Sequence, residues 1–188
     1  MNDLEELING KPVFHTFEKI ARVNRPMIVT EKLDGQNALI HILDDGRVFI
    51  GSREQYIDEH TDVKGFWHWC QDHMEEIKLL GPGRHHGEWW GSGIGRGYGL
   101  KEKHFSLFNT SKWNVDNTPP CVDVVPVLYQ GPFSTETMAE IVEALRAQGS
   151  MAVPGFMRPE GIVVFHVHAY SFFKWTLEND DVPKSSIA

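Results

Sequence analysis

The sequence predicts an α+β fold in which mostly antiparallel sheets carry flanking helices, and three observations predict it. Short runs rich in β-branched and aromatic residues alternate with turn residues. Two stretches repeat their apolar residues at helical spacing. A Gly-containing turn joins two of the short runs as a hairpin.

Taken in order, Ile28 to Thr30 is an apolar strand that runs into the segment around Lys32. Ala38 to Leu43 meets Arg47 to Gly51 across Asp44-Asp45-Gly46, which predicts two adjacent antiparallel strands. From Lys64 to Leu80, Phe66, Trp69, Cys70, Met74, Ile77 and Leu80 recur at spacings of three and four, so one amphipathic helix is expected, stopped by Gly81-Pro82-Gly83. A second helix is expected from Thr135 to Gln148, with Met138, Ile141, Val142 and Leu145 on one face, Ser134 as N-cap and Gly149 just past its end. Val122 to Tyr129, Gly161 to His168 and Tyr170 to Trp175 complete the expected strands.

At 188 residues and 41% hydrophobic, the chain is expected to form one domain over residues 1–188. Two cysteines are too few for a disulfide framework, the first residues lack a signal-peptide pattern, and no apolar run reaches the roughly 18 residues of a membrane span. A soluble, cytoplasmic protein without a membrane partner is expected. A formal net charge of −8 argues against a protein that coats nucleic acid non-specifically. A local cluster of Arg84, Arg96, Lys101 and Lys103 is still expected to be able to hold a strand end.

The most informative segment is Glu31-Lys32-Leu33-Asp34-Gly35-Gln36-Asn37. A lysine at the end of an apolar strand enters a partly desolvated pocket, which favours the neutral amine and makes it a usable nucleophile. Gly35 lets the backbone turn tightly or approach a ligand closely. Further along stand Gly51-Ser52-Arg53, Gly87-Glu88-Trp89-Trp90-Gly91, Phe105-Ser106-Leu107-Phe108-Asn109, Pro159-Glu160-Gly161-Ile162-Val163-Val164 and Phe172-Phe173-Lys174-Trp175.

In this order the series resembles the covalent nucleotidyltransferases: DNA ligases, RNA ligases and capping enzymes. Glu31 and Asn37 make it most similar to the RNA ligase branch. The resemblance implies the nucleotidyltransferase domain of those enzymes, of the ATP-grasp-like kind, without an appended oligonucleotide-binding barrel or C-terminal helical domain. It implies ATP as cofactor, with AMP held covalently on Lys32, and Mg²⁺ (or Mn²⁺). Glu31 would lie near the adenine edge, Arg53 and Glu88 would grip the ribose, and Asn37 would join the nucleotide-binding set. Phe108 would stack on the base, Glu160 would place the metal, and Lys174 would face the phosphates. The implied partners are RNA or DNA strand ends, and a partner protein could supply a further nucleic-acid-binding domain. A DNA ligase or capping-type enzyme shares this chemistry. The alternative of another class is a non-catalytic nucleotide- or RNA-end-binding protein of the same fold.

Two departures stand out: Lys174 is followed by Trp175 and Thr176 rather than by a second lysine one residue on, and Asn109 rather than aspartate follows Phe108. Trp89 and Trp90 point to opposite faces of a strand and are both expected in the core. Phe105, three residues before Phe108, competes with it for the stacking position. His85-His86 and His166-Val167-His168 have no third ligand at suitable spacing, so core or solvated histidines are expected rather than a zinc site. The segment from Gly91 to Gly99 lacks the ending of a P-loop and is expected to be a flexible loop beside the site, with Arg96 approaching a strand end.

Overall fold

A computed structural model of the protein describes residues 7–8, 11–12, 16–17, 19–62 and 64–180. Strands β1 (Leu7–Ile8) and β2 (Lys11–Pro12) pair with each other. The other described strands build two sheets. The four-stranded sheet contains β3 (Pro26–Lys32), β9 (Val127–Pro132), β10 (Gly161–His166) and β11 (Ser171–Thr176), in the order β11-β10-β3-β9 and antiparallel throughout. The five-stranded sheet contains β4 (Gly35–Ile42), β5 (Val48–Gly51), β6 (Gly83–Gly91), β7 (Lys103–Leu107) and β8 (Asp123–Val124), in the order β5-β4-β6-β7-β8. Only its β7–β8 pair is parallel. The α+β class with mostly antiparallel sheets is therefore the observed one.

Each sheet buries one face under helices. Helix α3 (Thr135–Gln148) lays Met138, Val142 and Leu145 against Met27, Val29, Ile162 and Val164 of the four-stranded sheet. Each such side chain contributes about 1.5–3 kcal/mol on burial, so packing rather than intrinsic helicity holds α3. Its ends are those read from the sequence: Ser134 Oγ accepts from the Thr137 N–H at 3.1 Å, and Gly149 follows at φ 84°. Helices α1 (Phe66–Asp72) and α2 (Met74–Ile77), with a 3-10 turn over Lys78–Leu80, cover the five-stranded sheet through Phe66, Cys70, Ile77 and Leu80. A third cluster of Leu33, Trp90, Tyr98 and Val125 packs where the chain passes between the sheets.

Two of the expected elements differ, and β6 and β7 are absent from the run of expected strands. The helix expected over Lys64 to Leu80 begins at Phe66 and breaks at His73, which sits at φ −112°. There the backbone N–H of His73 and its Nδ1 both reach the Trp69 carbonyl, at 3.1 and 2.8 Å, and the turn closes on itself. The strand expected over Val122 to Tyr129 is two strands in different sheets, β8 and β9. Pro126 between them has no N–H for a ladder, and its carbonyl instead accepts from the Glu31 N–H at 2.9 Å.

Candidate active site

Lys32, Asn37, Glu88 and Lys174 lie on the faces left uncovered by helices. Along β3, Met27, Val29 and Glu31 point toward α3 and its following loop, so alternation turns Thr30 and Lys32 the other way. Along β4, Ala38, Ile40 and Ile42 enter the helix-covered core, and Asn37 lies on the opposite face, directly across from Glu88 of β6. The two faces meet because only Leu33 and Asp34 separate β3 from β4.

Lys32 Nζ donates to Glu160 Oε2 at 2.7 Å, with the lysine side chain 20% exposed and the glutamate 3%. The pairing of Gly161 with Lys32 fixes that contact, because it sets the residue before β10 beside the end of β3. Asn37 Nδ2 donates to Glu88 Oε2 at 3.1 Å. Glu88 is buried, which pushes its carboxyl up to about 7. The Lys32 charge pulls the other way, and the Glu160 charge adds to the push. Lys32, Glu160, Glu88 and Asn37 are thus brought together.

Gly35 is required by space. A Cβ there would collide with the Trp89 carbonyl oxygen and come within 2.7 Å of Trp90 Cβ and 2.9 Å of Glu88 Cγ.

The other expected site residues are arranged around this centre. Phe105 is fully buried against Phe66 and Trp89, whereas Phe108, just past β7, is 39% exposed. The core position therefore belongs to Phe105. Lys174 lies opposite Val163, which lies opposite Thr30, so Lys174 shares the Lys32 face two strands away and is exposed. Arg53 follows β5, is exposed, and makes no hydrogen bond or ion pair among the described residues. Glu31 is 1% exposed and lies on the side of β3 away from Lys32. Its Oε2 accepts from the Met151 and Ala152 N–H groups at 2.8 and 2.9 Å, while the buried Oε1 has no hydrogen-bond partner among the described residues. Its first duty is to hold the loop after α3, with one acceptor left over.

The stretch from Gly91 to Gly99 is not a free loop. Ile94 and Tyr98 are buried, the Asp34 N–H donates to Tyr98 Oη at 2.9 Å, and Asp34 Oδ2 accepts from the Arg96 N–H at 3.0 Å. The Arg96 guanidinium donates to the Arg158 carbonyl and to Glu178 Oε2, both at 3.2 Å, and its Nε lies 3.6 Å from Asp34 Oδ2, so Arg96 clamps Asp34 through its backbone N–H and side chain together. Nothing in the sequence pairs these residues, because Asp34 and Arg96 are 62 positions apart.

The expected basic cluster is also dispersed. Arg84 and Gly91, which pairs with Lys103, mark opposite ends of β6, roughly 24 Å apart at strand spacing. Lys103 Nζ is bound to the Lys64 carbonyl at 2.8 Å.

Trp89 and Trp90 are both buried, on opposite faces, with their N–H groups donating to the Lys64 carbonyl and Ser106 Oγ. His85 and His166 are buried and bonded to the Gly81 and Val23 carbonyls. A cavity of about 410 Å³ opens between Trp90, Ser106, Pro119 and Ala152, apart from Lys32 and Glu160.

The chain belongs to the RNA ligase family, whose model matches residues 25–176 and so takes in every segment from Lys32 to Lys174. Solved structures of mutant Naegleria gruberi RNA ligases share the fold. One with ATP and Mn is 22% identical, with a TM-score of 0.61 over 83% of this chain and 51% of that one. Another with ATP and Mn is 21% identical, with a TM-score of 0.61 over 81% and 49%. An apo mutant is 22% identical, with a TM-score of 0.59 over 81% and 50%. The chain thus spans about half the length of these solved chains. No curated protein sequence matched it. No helix among the described residues is long and apolar enough to cross a membrane.

Proposed function

We propose that the chain is an ATP-dependent RNA ligase that works through a lysyl-AMP intermediate. The observation that carries this reading is Lys32 Nζ held at 2.7 Å from Glu160, where the face bearing Lys174 meets the face bearing Glu88 and Asn37. A nucleophile and two carboxylates meet there, with a second cation on the Lys32 face two strands away, a set suited to nucleotidyl transfer. The family match over residues 25–176 and the Naegleria ligases solved with ATP or AMP and Mn support it. The same reading takes the described residues as one nucleotidyltransferase domain.

In the first step Lys32 attacks the α-phosphorus of ATP. An N–P bond forms, the bond to the β-phosphate oxygen breaks, and pyrophosphate leaves. Glu160, already hydrogen-bonded to Nζ, is the acceptor at hand for the lysine proton. Arg53 and Glu88 grip the ribose, with the Glu88 carboxylate accepting from a ribose hydroxyl, Phe108 stacks on adenine, and Lys174 faces the phosphates. In the second step an oxygen of a 5′-phosphate attacks the same phosphorus and Lys32 is restored. In the third, a 3′-hydroxyl attacks the activated phosphate and AMP leaves, sealing RNA ends.

The residues fit Mg²⁺ or Mn²⁺ as a shared ligand set. Glu160 and Glu88 offer hard carboxylate oxygens that would hold the cation beside the phosphates of ATP. The cation supplies neutralisation of the transferred group's charge.

The test is incubation with Mg²⁺ and α-labelled ATP, then denaturing mass spectrometry of wild type and Lys32→Ala. An AMP adduct on wild type alone is expected. Folded wild-type protein that never acquires AMP refutes the reading.

A further inference from the structure

The face of the five-stranded sheet that carries Asn37 and Glu88 continues away from Lys32 in two further rows. Leu39 pairs with His86, and Phe108 donates its N–H to the His86 carbonyl at 3.0 Å, which makes a middle row. Beyond it, His41 pairs with Arg84 on one side and Phe49 on the other. Four residues separate Glu88 from Arg84, so this outer row lies roughly 14 Å from the inner one.

Tyr56 closes over the outer row. Its hydroxyl and His41 Nδ1 are 2.7 Å apart, their rings stack with centroids 6.1 Å apart, and Phe49 lies 5.7 Å from Tyr56. Phe49 is 39% and Tyr56 50% exposed. Arg84 is exposed, and no ion pair among the described residues engages it.

We propose that this strip, Tyr56, Phe49, His41 and Arg84, is the docking track for a single-stranded polynucleotide segment adjoining the end to be joined. The rings of Tyr56 and Phe49 receive a base, and Arg84 receives a backbone phosphate. Half-exposed rings beside an unpaired guanidinium offer both contacts that a nucleotide needs and that an apolar protein partner does not. On a chain of net charge −8, a local cation at this place is complementary to a polyanion. The strip is also continuous with the face proposed to bind ATP. The inference rests on that reading of the Lys32 site.

The test measures fluorescence anisotropy of a labelled, single-stranded, 5′-phosphorylated oligoribonucleotide with the full chain, across a salt series, alongside AMP-adduct formation. Tyr56→Ala is expected to weaken binding by roughly 5- to 100-fold, the range of one lost stacking contact. Arg84→Gln should lower the slope of log affinity against log salt by about 0.7, one phosphate contact on a single strand. Tyr56→Phe keeps the ring and should bind as wild type, and all three variants should form the adduct normally. If Tyr56→Ala disturbs the fold, the exposed Arg84 decides the matter. Unchanged affinity and salt slope in Arg84→Gln overturn the track, as does wild type that binds no oligonucleotide. Wild type that binds through these residues yet forms no adduct would overturn the ligase reading and leave the track standing.

Discussion

Lys32 and Glu160 lie 128 positions apart in the chain, and their side chains meet at 2.7 Å. Lys32 is one-fifth exposed and can rehydrate if its partner is removed. Glu160→Ala is therefore expected to cost on the order of 1–3 kcal/mol of stability, read by urea unfolding. Adduct formation should fall by roughly 100-fold or more, in the range of a lost proton-transfer group.

Glu88 makes stability depend on pH. Its carboxyl rises from 4.5 to about 7 on folding, so the folded chain holds this proton more tightly than the unfolded one. Stability contributed at low pH is then lost as pH rises through that window and is flat above it. Glu88→Gln should match wild type near pH 4 and exceed it at pH 8 by roughly 3 kcal/mol. Melting temperatures of both proteins across that range check the expectation.

Phe105 and Phe108 should separate stability from binding. Phe105→Ala opens the core beside Trp89 and should cost about 3–5 kcal/mol. Phe108→Ala should leave stability within about 0.5 kcal/mol but weaken ATP binding by roughly 1–3 kcal/mol. Calorimetric titration and unfolding of the two variants give both quantities.

Glu31→Ala leaves the Met151 and Ala152 amides without their acceptor. The expected cost is about 1–3 kcal/mol for each amide, with faster hydrogen exchange at residues 151 and 152. Exchange rates equal to wild type would mean that the loop after α3 is held by its apolar contacts alone.

Legibility in the sequence followed the range of the forces involved. Helix α3 was readable to its last residue because Ser134, the apolar spacing and Gly149 are all local signals. The split of Val122 to Tyr129 falls at Pro126, whose missing N–H interrupts the ladder between β8 and β9. The break at His73 had no such marker, since it depends on an imidazole competing for one carbonyl. For the site, the motif order singled out Lys32, Glu88 and Glu160, and strand pairing brings them near one another: Lys32 ends β3, Glu160 precedes β10, and Glu88 lies within β6 across from Asn37. The clamp of Arg96 on Asp34 and the cap of Glu31 on residues 151 and 152 were not readable, because their partners are 62 and more positions away. Arg84 and Lys103 failed in the opposite sense: nearness in sequence became distance once β6 was extended.

Pro126 has a mechanical consequence. The backbone crosses between the sheets at Leu33-Asp34 and again at Val125-Pro126, and the Glu31 N–H ties the two crossings together at 2.9 Å. Leu33 and Val125 are buried in the same cluster with Trp90. Two adjacent ribbons joined this way behave as the spine of a book. Along that line the strand end bearing the Lys32 amine lies beside the face bearing the Glu88 carboxylate and the Asn37 amide, so the seam that joins the leaves also sets the spacing of the groups facing each other across it.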